Sequence, residues 1–477
     1  MPFTLRTLSV RLFIASVLAV AAATVRRIKH RPRSLLPTMS AIPPLPSGAL
    51  DAAVDRRNTG SRKISGRKGE YVGRDVVPMW VADMDFRSPQ PIVDALIVRA
   101  ADGVYGYTDC SPELAELLCE RLRRVYGCTG VSPSPEWFRW LPGLLPGLNH
   151  AVRTTCVPNT ADAVAIPTPV YAPFLASPIN CAAVLTTVPF TCTRRPGGAA
   201  GKELYFEVDW EGLEAAISSQ DTKLLHWCNP HNPAGRCWTR QELVRVARLC
   251  VTHDVLLCSD EVWGELPLDP TAHPFTSMLA LITAADTSTV ATAGAAADPA
   301  GVAPDGVPGL YERLVVLTSP SKCFNVAPLD IATAIIPHEP LRTTFIASGR
   351  DAAEVSVFGY VAAEAAYGEP ECEAWRMRLV EYLRANRDVA AARLTAMGIS
   401  CVVPEASYLM WMDATDVLPP GTNAEAWFKD VARVGLTPGV EFGGGLGTVR
   451  LNYGCRRETL DEALRRMEEA LAGVKKE

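Results

Sequence analysis

From about residue 160 to 340, short apolar runs alternate with amphipathic stretches. VAI (164–166), KLLHWC (223–228), VLLC (255–258) and LVVL (314–317) show no polar alternation and read as buried strands. Between two of them, TRQELVRVARLCVTH sets Leu243, Ala247 and Cys250 along one helical face behind a Thr239/Glu242 capping box. Strand–helix–strand alternation predicts an α/β fold, a mostly parallel sheet with helices on both faces. Residues 91–150 read as helical, with breaks at Gly103, Gly106 and PGLLPG (142–147). DVVPMWVADMDF (75–86) is extended, because Pro78 and Pro89 disfavour a helix. Beyond about 345, Trp375, Leu379, Leu383 and Leu394 line a long helix that stops at Gly398. YLMWM (408–412) reads as a strand. The last helix buries Leu460, Leu464, Met467 and Leu471 behind a second capping box, Thr459/Glu462.

At 477 residues the chain exceeds one small core. The pattern divides it into a large domain over 91–344 and a smaller α+β domain over 345–477, which residues 51–90 join. Residues 282–309, rich in Ala, Gly and Pro, predict a low-complexity surface insertion. Residues 1–50 carry Arg and Lys but no acid, around the apolar run LFIASVLAVAAAT. That run is shorter than the roughly 17–25 residues of a membrane span. It suits the apolar region of a signal peptide, and the basic, acid-free stretch after it resembles a transit peptide to an organelle, plastid or mitochondrion; without a leader, the chain is expected in the cytoplasm. Any membrane contact falls to that leader.

A net charge of −5 gives no basis for a nucleic-acid partner. The 14 Cys include no C-x-x-C and form no zinc-type spacing with the seven His. No metal is therefore expected, and the thiols read as small buried residues.

Three polar clusters each follow a predicted strand: NPHNPAG after KLLHWC, SDE after VLLC, and SPSK after LVVL. A parallel sheet binds ligands outside the carboxyl ends of its strands, so Asn232, Asp260 and Lys322 belong on one rim. Their chemistry is complementary. A lysine amine forms a Schiff base with an aldehyde cofactor and then serves as a base. A carboxylate keeps a pyridine nitrogen protonated, and the protonated ring stabilises a carbanion. An amide donates to a phenolate oxygen. Ser319 and Ser321 flank the lysine at a spacing that suits a phosphate, and PGLLPG offers helix N-terminal N–H groups to the same phosphate.

Together these segments resemble the class I/II aminotransferase family of pyridoxal-5′-phosphate (PLP) enzymes, and most closely its cystathionine β-lyase-type branch. The resemblance runs from about 50 to 475 through VVPMWVADMDF (76–86), GVYGYT (103–108), PTPVYAPF (167–174), NPHNPAGRCWTRQEL (229–243), SDEVW (259–263), SPSKCFNVA (319–327), TPGVEFG (437–443) and VRLNYGC (449–455). It implies the PLP-dependent transferase fold of type I. It makes Lys322 similar to the Schiff-base lysine, Asp260 to the partner of the pyridine nitrogen, and Asn232 to the donor on the phenolic oxygen. Tyr171 resembles the aromatic stacked on the ring, and Leu144 and Leu145 the source of phosphate-binding N–H groups. Tyr107 resembles the tyrosine that reaches the phosphate from a neighbouring subunit, which implies a homodimer. Arg450 resembles the fork on the carboxylate of a small amino-acid substrate. Two positions depart from the pattern. Trp263 stands where relatives carry His or Tyr, and Pro328 where many have Gly. The implied reaction is carbon–sulfur β-elimination on cystathionine or another cysteine S-conjugate; the alternative is amino transfer to a 2-oxo acid, which uses the same core residues.

Overall fold

The computed structural model describes residues 50–195, 203–283 and 306–474. The four apolar runs become four adjacent strands of a seven-stranded sheet. From edge to edge its strands are Phe138–Leu141, Ala332–Ile335, Leu314–Thr318, Leu256–Asp260, Thr222–Cys228, Ala163–Thr168 and Val184–Pro189. All run one way except Ala332–Ile335, which is antiparallel to both its neighbours.

The runs are continuously apolar because successive side chains enter different cores. Leu225, Leu257 and Val316 face one hydrophobic cluster; Leu224, Leu256 and Val315 face the other. On the first face, helix Arg240–Thr252 buries Leu243, Val246, Ala247 and Cys250, and its Thr239/Glu242 capping box forms in both directions. On the second, helix Leu144–Thr155 buries Leu148, Ala151 and Val152. Among the described residues no helix is long and apolar enough to cross a membrane. Nor does any His, Cys, Asp and Glu group there suit a metal. All the cysteines except Cys110 and Cys192 are buried.

A second sheet has the strand order Thr437–Pro438, Thr448–Asn452, Leu409–Asp413, Ser400–Val402, Glu203–Glu207, Thr191–Arg194. Its last two strands come from within 91–344, so the second sheet does not begin at 345 as the sequence pattern suggested. Leu204 and Phe206 are buried, and the Glu203–Glu207 strand lies parallel to Ser400–Val402. The segment at 75–86 is extended only in its first part, where Val77–Pro78 pairs with Val434–Gly435, and bends from residue 81 onward.

Other expectations are corrected. The stretch 91–150 is not helical throughout. Pro133 and Pro135 leave only the single helical turn Pro135–Trp137, and Phe138–Leu141 joins the sheet edge instead. The long helix runs Pro370–Met397 and ends at Gly398 (φ 90°), but the last helix starts at Arg457, before Thr459. The Tyr382 hydroxyl accepts from the Arg457 N–H at 2.8 Å, and Glu462 pairs with Arg465 and Arg466 rather than closing a box. Most of the 282–309 insertion lies outside the described residues, as do residues 1–49. The insertion's ends are not surface: Ile282 and Val307 are buried, and the Val307 N–H donates to the Leu281 carbonyl at 2.9 Å.

Candidate active site

The carboxyl ends of the parallel strands meet in one cleft, and the site grows from the loops that leave them. Asp260 ends its strand fully buried. Among the described residues only the Val262 N–H donates to its carboxylate, at 3.1 Å. Burial raises its carboxyl to about 6, against the pull of that N–H and of the Lys322 charge. A buried carboxylate without an ion-paired cation is a position made for a cationic ligand atom.

Lys322 follows strand Leu314–Thr318 by one tight loop. The Phe324 N–H donates to the Pro320 carbonyl and the Val326 N–H to that of Ser321, at 3.0 and 3.1 Å. The Lys322 amine donates to the Ala82 carbonyl at 3.0 Å and lies 5.8 Å from the centre of the Trp263 ring. Burial and the nearby Arg450 charge lower it to about 8, although Asp83 and Asp260 oppose the shift. An amine so placed gives up its proton near neutral pH.

Asn232 and Arg450 form one unit. Arg450 sits in strand Thr448–Asn452, and its Nη1 donates to Asn232 Oδ1 at 3.0 Å. That contact fixes the amide and leaves Asn232 Nδ2 free to donate to a ligand. Nη2 donates to the Trp80 carbonyl and Thr437 Oγ1 at 3.1 and 3.3 Å, and the Phe442 ring lies 4.7 Å from the guanidinium carbon. Burial lowers Arg450 to about 10, so it remains charged at neutral pH. Its buried Nε has no acceptor among the described residues, which fits a guanidinium waiting for a carboxylate.

Tyr171 leaves strand Ala163–Thr168, half-buried, with its N–H on the Asn232 carbonyl at 3.2 Å. Helix Leu144–Thr155 starts after Gly143 at φ 131°, with no side-chain cap. The N–H groups of Leu144 and Leu145 are thus in its open first turn, where an anion fits.

Ser319 and Tyr107 have other surroundings. The Ser319 hydroxyl donates to the Ile331 carbonyl at 2.6 Å and accepts from the Ser321 N–H at 3.0 Å. Both contacts brace the lysine loop, and Ser321 beside it is half-buried. Tyr107 is 97 % exposed and touches none of these groups within its own chain. The departure at Pro328 is harmless, because it stands at the start of the turn Ala327–Leu329, where no backbone donor is required. Trp263 is buried edge-to-face against Tyr408, with ring centres 4.9 Å apart.

Sequence reasoning missed the wall opposite the sheet, the turn 80–84. Each of its carbonyls accepts from a side chain drawn from a distant segment. Trp80 takes Arg450 and Thr437; Val81 takes Asn452; Ala82 takes Lys322 and Tyr408. Asp83 takes Asn452 and Lys63; Met84 takes Arg56 and Asn325. Lys63, 0 % exposed, also pairs with Asp85 at 2.9 Å, and Arg56 bridges Asp83 and Asp85. Asn325 and Asn452 stood inside the quoted motifs, but a backbone acceptor has no side-chain signature to point to its donors.

A sequence profile described as aminotransferase class I and II matches residues 76–467. The chain belongs to that family. Cystathionine beta-lyase PatB of Bacillus subtilis (strain 168) is 32 % identical to it over 89 % of this chain and 100 % of PatB. Among solved structures, OvoB is 34 % identical at a TM-score of 0.73, covering 88 % of this chain and 97 % of OvoB. A PLP-bound putative aminotransferase from Clostridium difficile 630 is 29 % identical at 0.74, covering 88 % and 99 %. The fold is that of the PLP-dependent transferases of type I. Within this aminotransferase family the chain falls in the cystathionine β-lyase branch. The residues present suit PLP: a neutralisable amine, a buried carboxylate, a fixed amide donor and an uncapped helix start around one cleft.

Proposed function

We propose that this chain is a PLP-dependent carbon–sulfur β-lyase, which with water converts cystathionine or another cysteine S-conjugate to pyruvate, ammonia and a thiol. The observation that carries this reading is the full-length likeness to PatB, a cystathionine beta-lyase. The branch signature at 76–86 supports it, because that segment builds the wall that holds the Lys322 amine.

Lys322, Asp260, Asn232, Tyr171, Leu144, Leu145, Ser319 and Ser321 would hold the cofactor. Bound there, PLP supplies the electron sink that makes the substrate Cα proton acidic. Arg450 binds the α-carboxylate and turns the Cα–H toward Lys322. Lys322, neutral above about 8, takes that proton, and the Ala82 carbonyl holds the resulting ammonium. Asp260 keeps positive charge on its ring partner. Trp263 has only an N–H donor and no base, so it excludes water without moving protons. A thiolate leaves readily from Cβ, whereas the hydride of alanine does not. Tyr107, exposed in one chain, completes the phosphate site of a second copy in a homodimer. Residues 1–50 act as a targeting leader to an organelle.

The test gives the holoenzyme L-cystathionine with no keto acid, and follows pyruvate and thiol. Stoichiometric release of both is expected. Amino transfer to 2-oxoglutarate without pyruvate would replace this reading with the aminotransferase one, which the likeness to the Clostridium difficile protein favours.

A further inference from the structure

Four charged side chains lie behind the lysine loop with no part in the reaction just described. Arg121 comes from helix Pro112–Arg124, Glu265 from the loop after the Asp260 strand, and Glu373 and Arg376 from helix Pro370–Met397. Arg121 and Glu265 are each 2 % exposed and meet two-pronged: Nε donates to Oε1 at 2.7 Å and Nη2 to Oε2. Arg121 Nη2 also reaches Glu373 at 3.4 Å, and Glu373 pairs with Arg376 at 2.6 Å. Arg376 Nη1 then donates to the Glu265 carbonyl at 2.9 Å. Two cations and two carboxylates thus close a neutral, largely buried ring.

The ring lies between two loops of the site. The Phe324 side chain, two residues beyond Lys322, is fully buried. The Arg121 guanidinium carbon lies 5.7 Å from its ring centre, and Trp375 of the long helix stacks beside it at 6.4 Å. Glu265 stands two residues beyond Trp263, whose ring centre is 5.8 Å from the Lys322 amine. The Leu266 N–H closes that turn onto the Trp263 carbonyl at 3.0 Å. One partner of the pair therefore packs on the loop that carries Lys322, and the other belongs to the loop that leaves Asp260. Just past the helix of Arg121, the Tyr126 hydroxyl shares a hydrogen bond with Thr318 Oγ1 at 2.5 Å, at the end of the strand before the lysine.

A buried ion pair is a poor source of stability, because desolvating both ions offsets most of their attraction, and apolar side chains of similar volume fill the space as well. What an apolar pair lacks is direction. A guanidinium fork holds a carboxylate in one plane at one distance, whereas flexible methionines slide. We infer that Arg121 and Glu265 are a positioning pair, which sets the Lys322 loop against the Asp260 loop and keeps the amine on the Ala82 carbonyl beside Trp263. The pair does not touch the amine. It acts through Phe324 on one loop and through the turn 263–266 on the other. Without it Phe324 and Trp263 shift independently, and water reaches the amine. The charged groups that face the amine, Arg450, Asp83 and Asp260, stay as they are. The proposal rests on Lys322 as the amine that takes the cofactor, and not on which reaction follows.

The test removes both charges together, because either one alone would strand its partner in the interior. Arg121→Met/Glu265→Met is compared with the parent by denaturant titration and by the pH dependence of PLP capture in the apoenzyme, with the label mapped to Lys322 after borohydride reduction. The unfolding midpoint should stay close to the parent's. The midpoint of capture should rise by about one pH unit toward the ordinary lysine value, so that capture at neutral pH slows about tenfold. Arg121→Lys, a point charge without the fork, should fall between the two, and it decides the matter alone if the double variant does not fold. With L-cystathionine, kcat should drop about ten- to hundredfold and KM should hardly move. A capture midpoint unchanged from the parent's would overturn the proposal whatever kcat does, since the ring would then only fill space. So would loss of the fold in both variants, which would make the pair a part of the folding core. A parent that takes up no PLP at Lys322 would overturn the cofactor assignment along with the proposal, whereas a failure confined to the variants leaves that assignment standing.

Discussion

The rim of the parallel sheet and the wall turn at 80–84 face each other across the same lysine, and they are built in opposite ways. On the rim, Asp260 ends a strand buried on both faces, and Asn232 and Lys322 stand on short loops just beyond two others, so the sheet fixes where each begins. In the wall the side chains belong to other segments, and they fix a backbone. Lys63, Arg56, Asn325, Asn452, Thr437 and Tyr408 hold successive carbonyls in place. The rim supplies reactive groups on a rigid frame. The wall supplies fixed acceptors from an irregular turn, and the energy of holding it is spread over many donors.

Substitutions should separate the two regions by what they damage. On the rim, Asp260→Asn should leave the fold intact and reduce kcat by about 10²–10³-fold, the order seen when a key electrostatic group is removed. Activity within a few-fold of the parent would show that another group keeps the ring partner charged. In the wall, Lys63→Met should act on stability first. It strips a fully buried cation from Asp85, at a cost of about 3 kcal/mol, the lower end for a broken buried pair because Asp85 keeps some solvent. Denaturant titration checks it; an unchanged midpoint would mean that Arg56 alone secures the turn.

The lysine that both regions share can be probed by pH. Its amine is lowered to about 8, and only the neutral amine attacks an aldehyde. Capture of PLP by the apoenzyme should therefore accelerate about tenfold per unit between pH 6 and 8 and level off above it. A profile still rising at pH 10 would show an ordinary solvated lysine. The smallest effect is expected for Tyr408→Phe. Ala82 loses one of two donors, and Lys322 still satisfies its carbonyl, so about 1 kcal/mol and a several-fold fall in kcat should follow. A loss as large as that of Asp260→Asn would move Tyr408 from positioning the lysine to the chemistry itself.

The same contrast explains what could be read along the chain. The four central strands were legible because double-sided burial leaves an unbroken apolar run, and the reactive residues were legible because each stands just after one. Arg450 was legible only through the motif VRLNYGC, since nothing about a lone arginine in a strand reveals that its Nε is buried without a partner. Strand Phe138–Leu141 escaped notice because it lies at a sheet edge, half-exposed and short, among prolines. Thr191–Arg194 and Glu203–Glu207 escaped for a related reason: their identity depends on Ser400–Val402, some two hundred residues later. The wall was illegible in principle, because its working atoms are main-chain oxygens. Spacing alone could not say that the Ser319 hydroxyl also reaches the Ile331 carbonyl.

The crossing of strand Glu203–Glu207 into the second sheet also limits how this molecule can be taken apart. A fragment starting at 345 would keep Ser400–Val402 but lose the strand beside it. Its freed backbone donors and acceptors, next to the buried Cys401 and Val402, would offer an open edge to any other fragment. Expressed alone, such a piece should aggregate rather than fold. The complementary fragment would in turn carry two orphan strands, Thr191–Arg194 and Glu203–Glu207, with Leu204 and Phe206 uncovered. The two parts of the chain can be exchanged between relatives only as a stitched pair, never by a single cut.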